Sequence, residues 1–449
     1  MNALRSNNKL LFTIISFVMM YLSFGHNAFH AVNPEKFYST GSTSDALVIG
    51  RLVESREHGL SSGEGRMGRF IGPEGDLDEN RDSNQTKFYL DKVNDDNYVY
   101  TYYNSQFGAQ GMLFSSIDNL FMQLGITPET RLVIFHAFLA LLFSLILTSV
   151  LVVLYEDIGL TACILILTTI IFSRWQVYYA KSLYWMLPTM FLPMLAIFIA
   201  CKLESSGKRF NLPVISIIVM LLVMLDALMG YEYITTVMLS AVTPLVYFMM
   251  RDDWNSRKML QRLFFIGFFA LLGFIVALLL HIYQLQLATG SYADAIDIIK
   301  ERILVRTYTN PEDYIGTPYF ESQETSVFYV LYMYLIKGGT FRLKIPFLLW
   351  VLMLNYITIK YYRNKIALEP PKKKIIKTLI VTTWFSLLAS LSWIVLAKSH
   401  SEIHTQINYI VWHLPFMLFA FALFGVYWEK KINTGVSKLT GNRFRNNIE

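Results

Sequence analysis

The sequence predicts an all-α polytopic membrane protein with about ten transmembrane helices, eleven at most, and three properties of the chain support this fold class. Of its 449 residues, 54% are hydrophobic and only 16% are charged, whereas roughly 25% are charged in an ordinary soluble domain. The mean hydropathy is +0.40. The apolar residues are concentrated in long runs that one soluble core would not require. These properties exclude a soluble enzyme, a disordered protein and a secreted domain held by disulfide bonds.

Each predicted span is a mostly apolar run close to the ~20 residues that cross a bilayer as a helix. The runs are residues 10–28, 130–154, 158–173, 185–202, 212–231, 233–250, 263–283, 343–361, 376–397 and 409–428. A further apolar run, 327–336, is too short to cross comfortably and is interpreted as a re-entrant or interfacial segment. The first run could instead be a cleaved signal peptide, but Phe24-Gly25-His26-Asn27 is a poor cleavage site.

The distribution of Lys and Arg predicts the orientation of these spans, because basic residues are enriched in cytoplasmic loops. They cluster before the first span, at 202–209, at 251–262, at 360–377 and near the C-terminus. All of these segments fall on one side if 327–336 does not cross, which places both termini in the cytoplasm. The net charge of +6 is then a topological signal, and no nucleic-acid partner is expected. We predict an integral protein of the bacterial inner membrane.

This topology divides the chain into cytoplasmic, membrane and external parts. In order, they are a cytoplasmic N-terminus (1–9), the first span (10–28), an external first loop (33–123), the second to seventh spans (130–283), a second external loop (284–342), the last three spans (343–428) and a basic cytoplasmic tail (429–449). The cytoplasmic loops are short or basic, so the function is expected on the external face.

Directly after the first span, residues 45–56 are predicted to form an amphipathic helix that lies along the membrane surface. Ser44 is a plausible N-cap, and Asp45 falls in the first turn. An apolar stripe of Leu47, Ile49, Leu52 and Val53 lies opposite the charged residues Arg51, Glu54 and Arg56. Residues 112–124 have the pattern of a second amphipathic helix. Asp45 is either a functional acid at the mouth of the bundle or only a first-turn acid that complements the helix dipole.

Three residues on the external face are candidates for contacts to sugar or acceptor hydroxyls. Tyr103 and Gln106 lie in a stretch rich in tyrosine, amide and glycine residues, which suits carbohydrate but suits the membrane interface equally. Glu232 lies in a tight turn between two spans, where an ionisable side chain usually faces a cavity or a partner, and a structural ion pair is the alternative. Asp76 and Asp78 form a DxD string, which is weak evidence for a metal-nucleotide site because a solvated loop explains it as well.

Basic side chains on the external face are candidate ligands of a lipid phosphate. They are Arg174, Lys181, Arg302, Arg306, His400 and His404. Groups of this kind at the headgroup level neutralise a phosphate or pyrophosphate, and the alternative is ordinary snorkelling of long side chains. His400 and His404 have a spacing that can bind zinc, but no third ligand is evident. No metal site and no cofactor is therefore predicted, although a divalent metal is left open.

In layout the chain resembles the GT-C superfamily, the polytopic glycosyltransferases that use polyprenyl-linked sugars. An N-terminal span leads into a large external first loop, in which Asp45 begins a juxtamembrane helix over 46–57. The resemblance implies a GT-C-like fold with Asp45 as the catalytic base of an inverting hexosyl or pentosyl transfer. It implies a polyprenyl-(pyro)phosphate sugar as donor, a cell-envelope glycan or lipid as acceptor, and contact with membrane lipids. The Trp-Trp-Asp signature of oligosaccharyltransferases is missing, so transfer to protein is not expected.

Two other functions remain open for the same layout. A transporter or flippase of lipid-linked glycans would carry charged or broken helices at the membrane midplane, whereas these spans are largely uncharged and the first loop is longer than a gate requires. A receptor or non-catalytic assembly subunit would use the acids of the external loop to bind a partner, and nothing in the sequence excludes it.

Overall fold

A computed structural model of the chain describes residues 2–38, 44–75, 80–90, 97–317, 319–341, 343–363 and 369–429. Four features of the sequence lie wholly or partly outside the described residues. They are the acids at 76 and 78, the last residue of the second external loop at 342, residues 364–368 of the basic segment 360–377, and the basic tail beyond residue 429.

The described part of the chain is mostly helical. In chain order the helices are α1 (Asn2–His26), α2 (Pro34–Tyr38), α3 (Asp45–His58), α4 (Arg81–Tyr89), α5 (Ala109–Gln123), α6 (Pro128–Ile171), α7 (Arg174–Tyr179), α8 (Leu187–Ser205), α9 (Leu212–Met229), α10 (Ile234–Asp252), α11 (Ser256–Thr289), α12 (Tyr292–Arg306), α13 (Tyr319–Glu324), α14 (Val327–Tyr332), α15 (Phe347–Tyr362), α16 (Pro370–Leu396), α17 (Lys398–Ile403), α18 (Thr405–Asn408) and α19 (Phe416–Glu429). Short 3₁₀ or π turns occur at Ser62–Gly65, Pro311–Tyr314, Met333–Lys337 and Tyr409–His413.

Strands are few and short in the described residues. β1 (Gly68–Ile71) pairs antiparallel with β2 (Val99–Tyr102), with Gly68 opposite Tyr102. β3 (Gly339–Thr340) pairs antiparallel with β4 (Ile345–Pro346). Both pairs lie in the two predicted external loops or at their border, so the part of the chain in the bilayer is helical.

Within the described residues, seven helices are long and apolar enough to cross a membrane. An eighth span results if the bent pair Thr405–His413 and Phe416–Glu429, which meet at 49°, counts as one. An all-α membrane protein is thus confirmed, while the number of about ten spans stays a prediction. The difference comes from α6, which contains two of the predicted spans, and from α15, whose 16 residues fall short of the ~20 that a span needs.

Helix α6 is 44 residues long but does not run straight. Gly159 has φ 80° and ψ 173°, which interrupts the helical conformation. The ring of Phe24 stacks on Phe143, while the neighbouring Ser23 donates a hydrogen bond of 2.7 Å to the carbonyl of Ile171. A straight helix would hold residues 143 and 171 roughly 42 Å apart at ~1.5 Å per residue. The chain therefore reverses at Gly159, and the two halves are the second and third predicted spans.

Ion pairs between residues predicted to be cytoplasmic collect at one end of the helix bundle. Glu156, next to the reversal, pairs with Lys9 at 2.6 Å and with Lys202 at 2.8 Å. The pairs Arg251–Asp157 and Arg262–Glu204 lie at the same end. A carboxylate oxygen of Glu429 lies 3.8 Å from where a Cβ on Gly159 would be. Residues 9 and 429 therefore share one end of the bundle, as an even number of crossings requires. That this end faces the cytoplasm stays a prediction.

The described part of the external first loop (33–123), called the first external segment below, covers the opposite end of the bundle and has α3 in its interior. Residues 45–55 of α3 are all buried, and a Cβ on Gly50 would lie 2.4 Å from the carbonyl oxygen of Gly68 on β1. The predicted division into an apolar stripe and an opposite charged face is therefore not reflected in exposure, because both faces of the helix are covered. That the helix lies along the membrane surface stays a prediction. Arg51 is fully buried and donates hydrogen bonds to the carbonyls of Leu60 and Ser62, because the chain after the helix folds back over it.

Helix α5 confirms the predicted helix near 112–124. Apolar side chains lie on its outer face and a charged side chain lies on its inner face, the reverse of a helix in a soluble protein. Leu113 and Leu120 are exposed, whereas Asp118 is fully buried. Asp118 is paired with Arg56 at 2.9 Å and with Arg131 at 3.2 Å, which fixes α5 to α3 and α6. An apolar outer face over a polar inner one is the arrangement of a helix that contacts lipid.

The short apolar run near 327–336 forms the helix Val327–Lys337 at the outer end of the bundle. Just before it, the carbonyl of Thr325 accepts a 2.9 Å hydrogen bond from Lys398 Nζ. Near its end, the hydroxyl of Tyr334 donates to the carbonyl of Ser401 at 2.9 Å. Both ends of the helix are thus tied to α17, which favours the interfacial interpretation over a further crossing.

Candidate functional site

A cavity of about 360 Å³, called the outer cavity below, lies at the outer end of the bundle. Residues from the start of α3, the loop after β2, the loop before α8, the turn after α9, α12 and α17 line it. Its lining includes Arg69, Arg302 and Arg306, with Glu232 as the single carboxylate among the described lining residues. The protein therefore gives this cavity a net positive charge.

Two arginines on α12 lie one turn apart and both line the outer cavity. Arg306 Nη2 is 3.9 Å from Glu232 Oε1, too long for a direct hydrogen bond. Burial lowers the pKa of Arg306, but Tyr103 and Glu232 outweigh it and raise that pKa above its ordinary value, so the guanidinium stays charged. Arg302 Nε has no hydrogen-bond partner among the described residues. The pair therefore has donors left for an anionic ligand.

Glu232 is held in the turn between α9 and α10 by close packing around Tyr184. A Cβ on Gly230 would lie 2.6 Å from Glu232 Oε2, so glycine leaves the room that this carboxylate occupies. The hydroxyl of Tyr184 donates to Gln106 Oε1 at 3.1 Å and lies 3.4 Å from both Glu232 Oε1 and the hydroxyl of Tyr103. The three predicted sugar contacts are thus brought together. Tyr103 and Glu232 line the outer cavity, and the buried Gln106 supports them from behind.

His400 and His404 line the same cavity as neutral rings, 4.6 Å apart between centroids. Asn408 Nδ2 is 3.3 Å from the backbone carbonyl of His400 and 3.2 Å from its Nδ1. Because an amide nitrogen only donates, Nδ1 is the acceptor and the ring hydrogen is on Nε2. Burial lowers the pKa of His400 well below its ordinary value, helped by His404 and Arg306, and burial also lowers the pKa of His404. At neutral pH they are hydrogen-bonding groups, so the prediction that they supply positive charge to a phosphate is corrected.

Asp45 does not itself line the outer cavity, although its neighbours Ser44 and Leu47 do, and it is only 3% exposed. Its Oδ1 accepts a 3.0 Å hydrogen bond from the backbone N–H of Tyr184 and a second one from the hydroxyl of Ser182. Its Oδ2 has no partner among the described residues. The preceding Ser44 lines the cavity and occupies the predicted N-cap position of α3, but its side chain makes no capping hydrogen bond. Asp45 is thus fixed through one oxygen, with the other oxygen unused.

Lys181 lies near Asp45 and does not line the outer cavity. Its Nζ is 3.7 Å from the centroid of the Phe37 ring. Its backbone carbonyl accepts a 2.7 Å hydrogen bond from His136 Nδ1. Burial lowers the pKa of Lys181 to about 8, and the charge of Asp45 acts in the opposite direction. Lys181 is therefore a buried neighbour of Asp45 and makes no contact with a ligand in the outer cavity.

Arg174 lines a different cavity, of about 890 Å³, which is called the second cavity below. Its lining residues include His30, Lys36, Arg174, Trp175, Tyr178 and Lys344. The six predicted phosphate ligands therefore do not form one cluster. Arg302, Arg306, His400 and His404 line the outer cavity, whereas Arg174 and Lys181 lie apart from it.

The outer cavity also contains residues that the sequence analysis did not single out. Arg69 lies on β1, 3.2 Å from Asp82. Tyr184 and Trp185 come from the short loop before α8, and Asn408 orients His400. The aromatic cluster at 178–185 was a usable signal in the sequence. No feature of the sequence pointed to Arg69, because it is one of several arginines in a long loop.

Among the described residues, no three His, Cys, Asp or Glu side chains are grouped as a metal site would require. Comparison of the chain with protein-family models, with curated proteins and with solved structures found no match. The likeness to the GT-C superfamily therefore rests on the layout of the chain and on Asp45, and what it implies is a proposal.

Proposed function

We propose that the protein is a membrane glycosyltransferase that takes a sugar from a polyprenyl-(pyro)phosphate donor at the external membrane face. The observation that carries this proposal is the outer cavity, which Arg302, Arg306 and Glu232 line together with tyrosine and tryptophan rings. Arginine forks suit a phosphate, and a carboxylate with aromatic rings suits sugar hydroxyls and sugar faces. The cavity lies at the end of a bundle of long apolar helices, where the lipid part of such a donor can stay in the bilayer.

In this proposal the two arginines of α12 bind the donor phosphate. When the bond between the anomeric carbon and the phosphate oxygen breaks, its electron pair stays on the phosphate. The guanidinium groups then stabilise more negative charge than they did in the bound donor, which lowers the barrier. The Nε2–H of His400 is an additional neutral donor in the same lining.

Asp45 is the proposed general base for two reasons. The resemblance to the GT-C superfamily implies this role, and its Oδ2 has no hydrogen-bond partner among the described residues. Two hydrogen bonds hold Oδ1, which leaves Oδ2 to take the proton of an acceptor hydroxyl. As that proton leaves, the acceptor oxygen attacks the anomeric carbon opposite the phosphate, and the configuration inverts. Ser44, the residue before Asp45, lines the outer cavity, so the acceptor is proposed to approach Asp45 from that side. Glu232 and Tyr103 are proposed to contact the sugar.

The proposal is tested by replacing each carboxylate with its amide. We expect Asp45→Asn to lower the rate of sugar transfer by roughly 10²–10⁴ while donor binding is retained, as loss of a general base does. Glu232→Gln should mainly raise KM, because it removes a binding contact. The assay follows transfer from a panel of polyprenyl-phosphate hexoses and pentoses by the purified protein in lipid nanodiscs.

Asp294→Asn is the matched control, since Asp294 is an exposed acid on α12 outside the cavity lining and its loss should change neither parameter. Full activity of Asp45→Asn would contradict the assignment of the base. Wild-type vesicles that move lipid-linked sugar across the bilayer without ever cleaving its phosphate–sugar bond would instead establish the flippase.

A further inference from the structure

We infer that the second cavity binds the phosphate headgroup of an anionic membrane phospholipid. This inference does not depend on the proposed transferase activity. The cavity, of about 890 Å³, lies between the outer end of α1, helix α7 and the loop before α15. It is more than a surface depression, because Trp175 and Tyr179 in its lining are buried.

The positive charge of the residues that line the second cavity favours an anionic ligand. Arg174 and Lys344 line the second cavity together with the imidazole of His30, and among the described residues no Asp or Glu does so. Like charges brought together in this way repel one another unless an opposite charge joins them. A phosphate bound beside Arg174 and Lys344 would supply that opposite charge.

Arg174 is the side chain best placed to grip a phosphate. Its guanidinium carbon is 4.0 Å from the centroid of the Trp175 ring, so the ring supports one face of the group. The N–H groups along the edge of a stacked guanidinium stay free to donate two parallel hydrogen bonds, which matches the oxygens of a phosphate.

The surroundings favour a lipid over a soluble anion. Tyr178 lines the second cavity beside Trp175, and such aromatic residues are enriched where headgroups meet acyl chains. Phe172, just before α7, is 38% exposed, and Leu343, next to Lys344, is 82% exposed. A soluble phosphate needs no apolar side chains at the mouth of its site, whereas the acyl chains of a phospholipid do.

Among the described residues, the second cavity and the outer cavity share no lining residue. A lipid in the second cavity therefore need not compete with a ligand in the outer cavity.

The test measures lipid binding by the full chain in detergent, without any sugar donor. Native mass spectrometry follows titrations with short-chain phosphatidylglycerol and with phosphatidylcholine. We expect wild-type protein to bind phosphatidylglycerol more tightly, and Arg174→Gln and Lys344→Gln each to weaken that binding roughly fivefold, the effect of losing one cation near a headgroup. Arg174→Lys should bind phosphatidylglycerol with an affinity between those of wild type and Arg174→Gln, because it keeps the charge but loses the stacked fork of two donors. Lys300→Gln removes the same charge from an exposed position of α12 outside this cavity and should leave phosphatidylglycerol affinity unchanged.

Equal affinity for the two lipids, or unchanged phosphatidylglycerol affinity in the Arg174→Gln, Lys344→Gln double variant, would overturn the inference. Inorganic phosphate that displaces phosphatidylglycerol at matching concentrations would identify a soluble-anion site and overturn the lipid assignment. Because no donor is present, any of these results leaves the transferase proposal to its own test.

Discussion

Asp45 and Lys181 are buried together beside the outer cavity, and each changes what the other can do. Lys181 would keep its proton up to about pH 10.5 in an unfolded chain, but burial lowers its pKa to about 8 in the folded one. The charge of Asp45 favours the protonated form and limits this shift. At neutral pH Lys181 is therefore still mostly charged, and Asp45 has a cationic neighbour while its Oδ2 is free.

We expect Lys181 to titrate with a pKa near 8, and its pKa to fall further in Asp45→Asn because the opposing charge is gone. ¹³C NMR of reductively methylated protein measures it, with Lys181→Arg to assign the signal. Between pH 8 and 10.5 the unfolded chain binds more protons than the folded one, so this residue makes the free energy of unfolding rise with pH in that window. An unchanged Lys181 pKa in Asp45→Asn would show that the two charges do not interact.

Among the elements, α6 depends most on a single backbone conformation. Its two halves run antiparallel because Gly159 adopts φ 80° and ψ 173°, a region that is nearly restricted to glycine. A Cβ there would have space, since the nearest atom is 3.8 Å away. A substitution at this site is therefore opposed by backbone strain, and steric conflict plays little part.

Gly159→Ala should lower the free energy of unfolding by roughly 1–3 kcal/mol, the cost of holding a non-glycine residue in this conformation. The measurement is thermal unfolding of the purified protein in detergent. Gly267→Ala is the matched control, because Gly267 lies inside α11 with open space around its Cβ position, and alanine suits a helix interior better than glycine. If both variants unfold at the wild-type temperature, the strain at Gly159 is not real.

For the whole molecule, the distribution of charge and the packing of helices agree about which loops share an end. Lys9, Glu156 and Lys202 form one cluster of ion pairs, and Glu429 lies near Gly159 at that same end. The outer cavity and the first external segment lie at the other end. The arrangement predicts that the sites of the two proposals face outside and the basic loops face the cytoplasm.

Cysteine labelling tests this orientation in intact cells, with little background because Cys163 and Cys201 are both buried. A membrane-impermeant maleimide should label Leu60→Cys from outside, since Leu60 is 42% exposed in the first external segment. It should label Lys208→Cys, in the loop between α8 and α9, only after permeabilisation. The reverse labelling pattern would show that the topology is inverted and that both cavities open on the cytoplasmic side of the membrane.

The sequence by itself determined that the chain is an all-α membrane protein, where most of its spans lie and which loops group together. These are properties of contiguous segments, because a run of apolar residues seeks the bilayer and a cluster of lysines stays out of it, whatever the rest of the chain does. Only the tertiary structure decided that α3 is buried, since its charged face is covered by the chain directly after it and by the more distant α5. It likewise decided that the six candidate phosphate ligands divide between two cavities and a buried position. The outer cavity is lined by residues that range from Ser44 to Ile407 in the sequence. Such residues come together only when the helices pack, and a local sequence pattern does not contain this information.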